Sequence, residues 1–529
     1  MKVPRSTKFF RRTLRRLPAP KYGVGYEPGI RIPMPDGVEL LGDHYFPQGA
    51  EAREFPTLLV RSPYGRGFPW AAVYGLAFAE QGFHVLIQSW RGTGGSGGTV
   101  QPWRDVGPDG QATVAWLRGQ PWFDGRLGLL GPSAMAYAAW ALAADPPPEL
   151  KAMVVHVPLH DPHSFFFRSG AFALEDALIA ATAFETQHLG PRRFIHTMWR
   201  LARGLKRIVD AEQPVEQYAR EMGWQSPVLA GAAAHPDGSD GYWQGTDLIG
   251  AASLLEVPTL VVSGWSDVAL DQALQQYGGL ARAEPRRGSR SLLVGPWTHT
   301  SAFQQGIGTV FGESLAWLRG HLVDPMPPKG RALLAMGPDA EWREEAAWPP
   351  AAVPVTWYAQ SDGTLGQEVP DSAATIGAFE HDPADPAPSI GGSYLGGSAG
   401  RREDTKLERR ADVVTFSSSP LTDVVEVIGS VATDLTVHVS GTEEATIFAR
   451  LCDVDKRGRS WNVCDGITQI SAGLDRTVSV AMSATAYRFL PGHRIRLQLS
   501  AGAHPRFAAS RQAYRVELQA GSALVIPVV

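Results

Sequence analysis

Two textures divide the chain. From about residue 30 to 330, short apolar runs alternate with segments whose apolar residues recur every three or four positions. The runs "TLLVRSPY", "FHVLIQSWRG", "LGLLGPS", "AMVVHVP", "PTLVVSGWSD" and "SLLVGPWTH" predict strands, several of them covered on both faces. Alternation with helical segments then implies a mostly parallel sheet between two helix layers. Polar residues and glycines gather just after the runs, at the edge where open α/β sheets form their sites. About a hundred residues separate "VHVPLHD" from "EVPTLVV", more than one crossover needs; "LEDALIAATAFETQHL" and "RRFIHTMWRLARGLKRIVDAEQPVEQYAREM" within them predict an inserted helical cap. After about residue 345, "LTVHVS", "TIFARL", "HRIRLQLS" and "YRVELQ" alternate apolar with polar positions, the pattern of a β-sandwich or jelly roll. The predicted organisation is an α/β core over 22–161 and 251–330, a cap over 162–250, an all-β domain over 345–529 and a basic tail over 1–21. The glycine-rich "IGGSYLGGSAGRREDTKLERR" is expected to be a long surface loop of the all-β half.

Composition narrows the classes. A chain of 529 residues is too long for one ordinary core. With 44% hydrophobic and 19% charged residues it is globular rather than disordered. A net charge of −4 provides no overall positive field for nucleic acid. Cys452 and Cys464 are too few for a disulfide framework or a zinc site and are expected as reduced core residues. Residues 1–21 hold eight Lys and Arg and no acid, but Leu17 is followed by "PAPKYG" rather than by a signal-type apolar run. No run approaches the roughly 18 apolar residues of a membrane helix. The expectation is a mobile basic tail on a cytoplasmic protein, although Phe9, Phe10, Leu14 and Leu17 can line one helix face against an anionic membrane.

The stretch "RLGLLGPSAMAYAAWALAA" runs from strand into helix with Ser133 at the corner. A serine there is either a helix N-cap or a nucleophile held over the helix N-terminus. The α/β-hydrolase arrangement orders Ser, Asp and His along the chain, each just beyond a strand of one sheet. Asp267 follows "LVVSGWS" and His299 follows "SLLVGPWT", in that order after Ser133. A base is needed because a serine hydroxyl is a weak nucleophile, and imidazole titrates near neutrality. A buried carboxylate fixes the tautomer of that imidazole. "RGTGGSGG" matches no nucleotide-binding pattern and reads as a turn near the site. No close His, Asp and Glu cluster has metal-ligand spacing, so neither metal nor cofactor is expected. Trp90, Trp265 and Trp297 flank the proposed site and are candidates for a substrate pocket, with core packing as the alternative.

Taken together, "VRSPYGRG", "QSWRGTGGSGG", "WLRGQPWFDGRLGLLGPS", "SGWSDVAL", "GPWTHT" and "FEHDPADPAPSIGG" resemble the cocaine-esterase-like and X-prolyl-dipeptidyl-peptidase-type α/β hydrolases. The resemblance runs from about residue 35 to the C-terminal end. It implies a hydrolase core, a helical cap and a C-terminal jelly roll, with Ser133 as nucleophile, His299 as base and Asp267 as its partner. It also implies that Tyr64 and the Ala134 N–H form the oxyanion hole. One departure is Ala136, where the family usually has glycine. The resemblance implies a small-molecule ester or amide as substrate. A carboxylesterase is favoured over an Xaa-Pro dipeptidyl-peptidase or acylase, since a dipeptidyl-peptidase needs a carboxylate for the substrate ammonium. Glu175 and Asp176 in the cap are the candidates for that role, with surface charge the plainer reading. A non-catalytic binding protein using the jelly-roll surface is the reading from another class, and a homo-oligomer is compatible with all of these.

Overall fold

The six predicted strand runs all enter one ten-stranded sheet. Its strands are β1 (Gly23–Pro33), β2 (Glu39–Gln48), β3 (Thr57–Ser62), β4 (His84–Ser89), β5 (Leu127–Pro132) and β6 (Leu150–His156), continued after the cap by four more. The cap contributes only the two-residue strands β7 (Phe167–Arg168) and β8 (Ala171–Phe172), which pair with each other. The sheet resumes with β9 (Thr259–Ser266), β10 (Arg290–Thr298), β11 (Ala332–Met336) and β12 (Glu341–Glu345), in the spatial order β1-β2-β4-β3-β5-β6-β9-β10-β11-β12. From β4 to β11 all neighbours are parallel. The core thus extends to Glu345 rather than ending at 330, because "ALLAM" and the charged "EWREE" close the sheet edge as an antiparallel pair. The structure, a computed structural model, describes residues 1–49, 54–101, 103–282, 290–324, 327–370 and 375–529.

Strand periodicity assigns side chains to the two faces. Leu58, Val60, Leu130, Val154, Val262 and Leu293 enter one core cluster, while their neighbours Leu59, Leu129, Val155, Val261 and Leu292 enter another. The first cluster is covered by a π turn over Ala71–Leu76, which continues into α2 (Ala77–Ala79), and by α12 (Ile307–Leu322). The second lies under α3 (Val106–Arg118), α4 (Ala134–Ala143) and α11 (Leu270–Arg282). Each buried Leu or Val contributes about 1.5–3 kcal/mol, which explains why the central strands are mostly apolar, with the buried polar residues Arg61, Gln88 and Ser263 near their carboxyl ends.

The cap comprises α5 (Pro162–Phe166), α6 (Leu174–Thr186), α7 (Pro191–Val209), α8 (Pro214–Met222), α9 (Pro227–Ala234) and α10 (Ile249–Leu254). Phe165, Phe166, Leu178 and Phe184 share a cluster with Trp90, Trp103, Ala134 and Tyr137 of the core, so the cap sits directly above the start of α4.

The C-terminal domain is an all-β jelly roll built from β13 (Val353–Ala359), β14 (Leu365–Gly366), β15 (Thr375–His381), β16 (Val413–Ser417), β17 (Val425–Val454), β18 (Ser460–Phe489), β19 (Arg494–Ser500), β20 (Tyr514–Gln519) and β21 (Ala523–Val528). The long pair β17 and β18 bends at irregularities such as Gly429/Val431 and Val439/Glu444, where an extra residue sharpens strand twist. Cys452 and Cys464 are free and buried in this domain.

Two segments differ from expectation. The glycine-rich stretch after Ile390 is not a surface loop. Arg450, only 1% exposed, donates to the carbonyls of Ile390 and Gly391 and pairs with Asp404 (2.8 Å) and Asp465 (2.9 Å). The stretch is thereby drawn between the domains, where the Leu395 N–H donates to Asp176 (2.7 Å) and the Ser393 hydroxyl to the Trp265 carbonyl. Nor is the basic tail mobile. It forms α1 (Arg5–Thr13), held by a bridge from Lys2 to Gly25, by burial of Val3 and Leu17, and by Arg11 against Glu80 at 2.7 Å. Charge counting treated Arg11 as solvated. Its partner lies sixty-nine residues away on the far side of the π turn and could not be read locally.

Candidate active site

The corner at Ser133 has the geometry of a sharp elbow. β5 ends at Pro132 and α4 begins at Ala134, leaving Ser133 at φ +55° and ψ −123°. A non-glycine residue held at such a backbone angle is strained by about 1–3 kcal/mol, and such strain clusters at functional sites. Gly131 permits the turn, since a Cβ there would lie 2.6 Å from the Cβ of Met135. The Ser133 N–H donates to the His156 carbonyl at 2.9 Å, but its side chain makes no capping bond to α4. The N-cap alternative therefore fails, and the hydroxyl is not engaged by the helix. Ala136 does not disturb this corner. Its methyl is fully buried in the core cluster beneath α4, and its N–H donates to the Ser133 carbonyl at 2.9 Å.

Asp267 follows β9 and His299 follows β10, as adjacent parallel strands require for the two to meet. His299 Nδ1 lies 2.7 Å from Asp267 Oδ1. The carboxylate is almost wholly buried, and it accepts from the Ser263 hydroxyl (2.7 Å) and the Ala269 N–H (3.0 Å). Those two donors were not anticipated; both lie within four residues of Asp267, where a polar Ser263 inside an apolar strand is the available signal. Asp271, the neighbouring carboxylate, is engaged elsewhere, accepting from the Ser483 hydroxyl at 3.1 Å and lying 3.7 Å from Arg168.

Tyr64 lies two residues past β3. Its N–H donates to the Ser62 hydroxyl at 3.0 Å and its ring packs on Phe184 and Trp70. Burial pushes its phenol up to about 12, offset in part by contacts with the Ser133 side chain and the Ala134 N–H. Tyr64, Ser133 and Ala134 therefore meet at one point. The glycine turn predicted beside the site packs under Arg66, which donates to the Ser89 hydroxyl, the Gly94 carbonyl and Asp43. A Cβ at Gly94 would meet the Ser89 hydroxyl at 2.4 Å, so glycine is required there. Another histidine behind the elbow, His156, is held neutral: burial pushes it down to about 3, between the Tyr74 and Ser314 hydroxyls.

Ser133, Tyr64 and His299 open into one cavity of about 710 Å³. Its walls include Phe10 and Leu14 of the N-terminal segment, Trp70 and Val73 around the π turn, Phe184 and Phe194 of the cap, Phe303 after β10, and Leu395 and Gly397 of the interdomain stretch. None of the three expected tryptophans lines it. Trp265 and Trp297 are the penultimate residues of β9 and β10, still inside the sheet, and pack on Trp348 and Trp342. Trp90 sits one layer behind, edge-on to Trp103 and Phe184. Trp70 and Trp103 occupy the wall instead. Among the described residues, no three His, Cys, Asp or Glu gather as metal ligands.

Residues 36–301 match the X-Pro dipeptidyl-peptidase (S15) family, and residues 326–523 match the X-Pro dipeptidyl-peptidase C-terminal non-catalytic domain. The chain belongs to the S15 family. It is accordingly a hydrolase of the cocaine-esterase-like, X-Pro dipeptidyl-peptidase type. A cocaine esterase of Rhodococcus sp. (strain MB1 Bresler) is 30% identical over 538 residues, covering 90% of this chain and 91% of that protein. Among solved structures, an aminopeptidase from the marine sediment archaeon Thaumarchaeota archaeon shares the fold of this S15 member with a TM-score of 0.80 at 21% identity, covering 97% and 98% of the two chains. An α-amino acid ester hydrolase does so with a TM-score of 0.80 at 19% identity and the same coverage.

Proposed function

We propose that the protein is a serine carboxylesterase working through an acyl-enzyme on esters with a large apolar group. The observation that carries this reading is the Asp267–His299 hydrogen bond beside a strained, uncapped Ser133 whose hydroxyl meets Tyr64. With Nδ1–H committed to Asp267, the His299 lone pair is on Nε2. Nε2 takes the Ser133 proton as Oγ attacks the ester carbonyl, then returns it to the departing alcohol as the C–O bond breaks. Water, activated by the same imidazole, releases the acid and restores Ser133. The oxyanion is met by the Tyr64 hydroxyl and the Ala134 N–H at the positive end of α4. A phenol pushed up to about 12 stays protonated at physiological pH and can donate.

The cavity supports an ester over an Xaa-Pro peptide. No Asp or Glu is among its described lining residues, whereas a substrate ammonium needs a fixed carboxylate. Asp176 is satisfied by the Leu395 N–H, and burial pushes Glu175 up to about 7, so neither stands ready as a charged anchor. A fluorophosphonate probe should label Ser133 in the folded protein, and p-nitrophenyl esters should be turned over in preference to Xaa-Pro p-nitroanilides. Absence of labelling in folded protein would refute the triad, and preference for the anilides would make the protein a dipeptidyl-peptidase.

A further inference from the structure

We propose that α1 and α7 form a docking face for anionic phospholipid around the mouth of the cavity, and that lipophilic esters reach Ser133 from that surface. Both helices border the cavity directly, α1 through Phe10 and α7 through Pro191, Phe194 and Met198. The apolar arc of α7 is wider than its buried part. It passes from Leu201 in the cap interior through Phe194 and Met198 at the cavity to Ile195 and Trp199, which are 63% and 55% exposed. Phe9 on α1 is 71% exposed, and Phe68, on which Phe10 packs at 4.6 Å, is half exposed at the cavity rim. Large apolar side chains gathered at one opening mark an interaction surface rather than scattered exposure.

Charge selects the partner. Residues 1–21 hold eight Lys and Arg and residues 191–209 hold six, with no Asp or Glu in either, in a chain whose net charge is −4. Arg11 pairs with Glu80 and Arg207 with Glu221, but among the described residues Arg5, Lys8, Arg12, Arg192, Arg203 and Lys206 form no ion pair. Arg203 lies over the Trp199 ring at 4.6 Å, with its charge outward. Exposed Trp, Phe and Ile flanked by unpaired Arg and Lys on amphipathic helices is the make-up of a helix lying in a lipid interface. An acidic leaflet attracts each basic residue held close to it, and the attraction weakens with salt. No described helix is long and apolar enough to cross a membrane, so the contact is peripheral. A lipid surface also suits an apolar cavity whose substrates partition into bilayers. That last step rests on the esterase reading; the docking face does not.

The test is flotation of the full chain with vesicles of phosphatidylcholine alone or mixed with phosphatidylglycerol, at low and high salt. Binding is expected only with phosphatidylglycerol and should weaken with salt. The pair Ile195→Ser/Trp199→Ser and the pair Lys8→Glu/Arg12→Glu, all exposed positions outside the cavity wall, should each weaken binding by about tenfold or more. Turnover of a short, soluble p-nitrophenyl ester should stay at the wild-type value in both pairs, while turnover of a long-chain ester carried in the mixed vesicles should fall with binding. Absence of flotation at low salt, or flotation that both pairs leave intact, would overturn the docking face. So would a wild-type dimer in solution that the Ile195/Trp199 pair dissolves, because a second copy then covers the patch. Flotation is read without turnover, so failure of Ser133 to label would refute the esterase and leave the docking result standing.

Discussion

Replacing Tyr64 by phenylalanine removes one oxygen and keeps the ring. Phe184 and Trp70 still pack against it, and its N–H still reaches the Ser62 hydroxyl. The folded protein should therefore lose no more than about 1.5 kcal/mol, the worth of one ordinary hydrogen bond. The catalytic effect is much larger if the hydroxyl meets the oxyanion, because a fixed donor then faces the charge that develops in the transition state. Loss of one such donor lowers kcat by about 10²–10³, or roughly 3–4 kcal/mol. KM should change little, since full negative charge exists only in the transition state. The phenol is held near 12, so it donates at every working pH. The ratio of wild-type to variant kcat should accordingly be flat from weakly acid to weakly alkaline solution. Steady-state turnover of a p-nitrophenyl ester measures the ratio, and slower but complete fluorophosphonate labelling shows that Ser133 and His299 are intact. A folded variant within about threefold of wild type would remove Tyr64 from the mechanism.

Other perturbations separate the remaining roles. Asp267→Asn should reduce kcat by about 10⁴ by favouring the wrong imidazole tautomer, whereas Asp271→Asn, whose carboxylate faces Arg168 and Ser483, should leave kcat near wild type; equal losses in the two would refute the assignment. Burial pushes Glu175 up to about 7, so the folded chain keeps a proton that the unfolded chain releases near 4.5. Stability from this group is present below that lower value and is lost as pH rises through 7, by about 3 kcal/mol. Glu175→Gln should melt above wild type at pH 8 and match it near pH 4.5, and melting curves that differ equally at both would sink the argument. Arg450→Met leaves Asp404 buried without its cation, while Asp465 keeps Arg506 at 2.6 Å; the loss should be about 3–5 kcal/mol. Because Arg450 also holds Ile390 and Gly391, residual folded enzyme should show a raised KM with kcat less affected.

How much of this was legible follows from where each determinant sits. The strand runs carry their own signal, since a strand buried on both faces must be largely apolar, and all six became neighbours in one sheet. Ser133, Asp267 and His299 lie at ends of three such runs, and strand order then decides that the last two meet. The three tryptophans were misjudged because proximity in sequence to a strand end says nothing of which side of the sheet edge a side chain takes. Trp265 and Trp297 stop one residue short of leaving their strands. The N-terminal segment was misjudged for a different reason. Its basic charge suggests solvation, yet what fixes it is one buried ion pair to Glu80 and an aromatic contact to Phe68.

The cavity was illegible for a reason that bears on how the enzyme would acquire specificity. Its reacting groups stand on short turns at a rigid sheet edge, each placed by a few residues of local sequence. Its walls are gathered from α1, the π turn, three cap helices and a stretch of the all-β domain, separated by up to several hundred residues. No periodicity can reveal such an assembly, because each contributing segment satisfies its own helix or loop pattern with residues to spare. The same separation means that the walls can change without disturbing the elbow. Phe194 and Met198 sit on α7 of the cap, outside the core sheet, and Leu395 is held by Asp176 and the Arg450 network. Changes there should therefore alter which ester is accepted while leaving the rate of fluorophosphonate attack by Ser133 nearly constant. Changes at Gly131 or Ser263 should do the reverse, since in the proposed mechanism one sets the turn that presents the nucleophile and the other the carboxylate that orients its base.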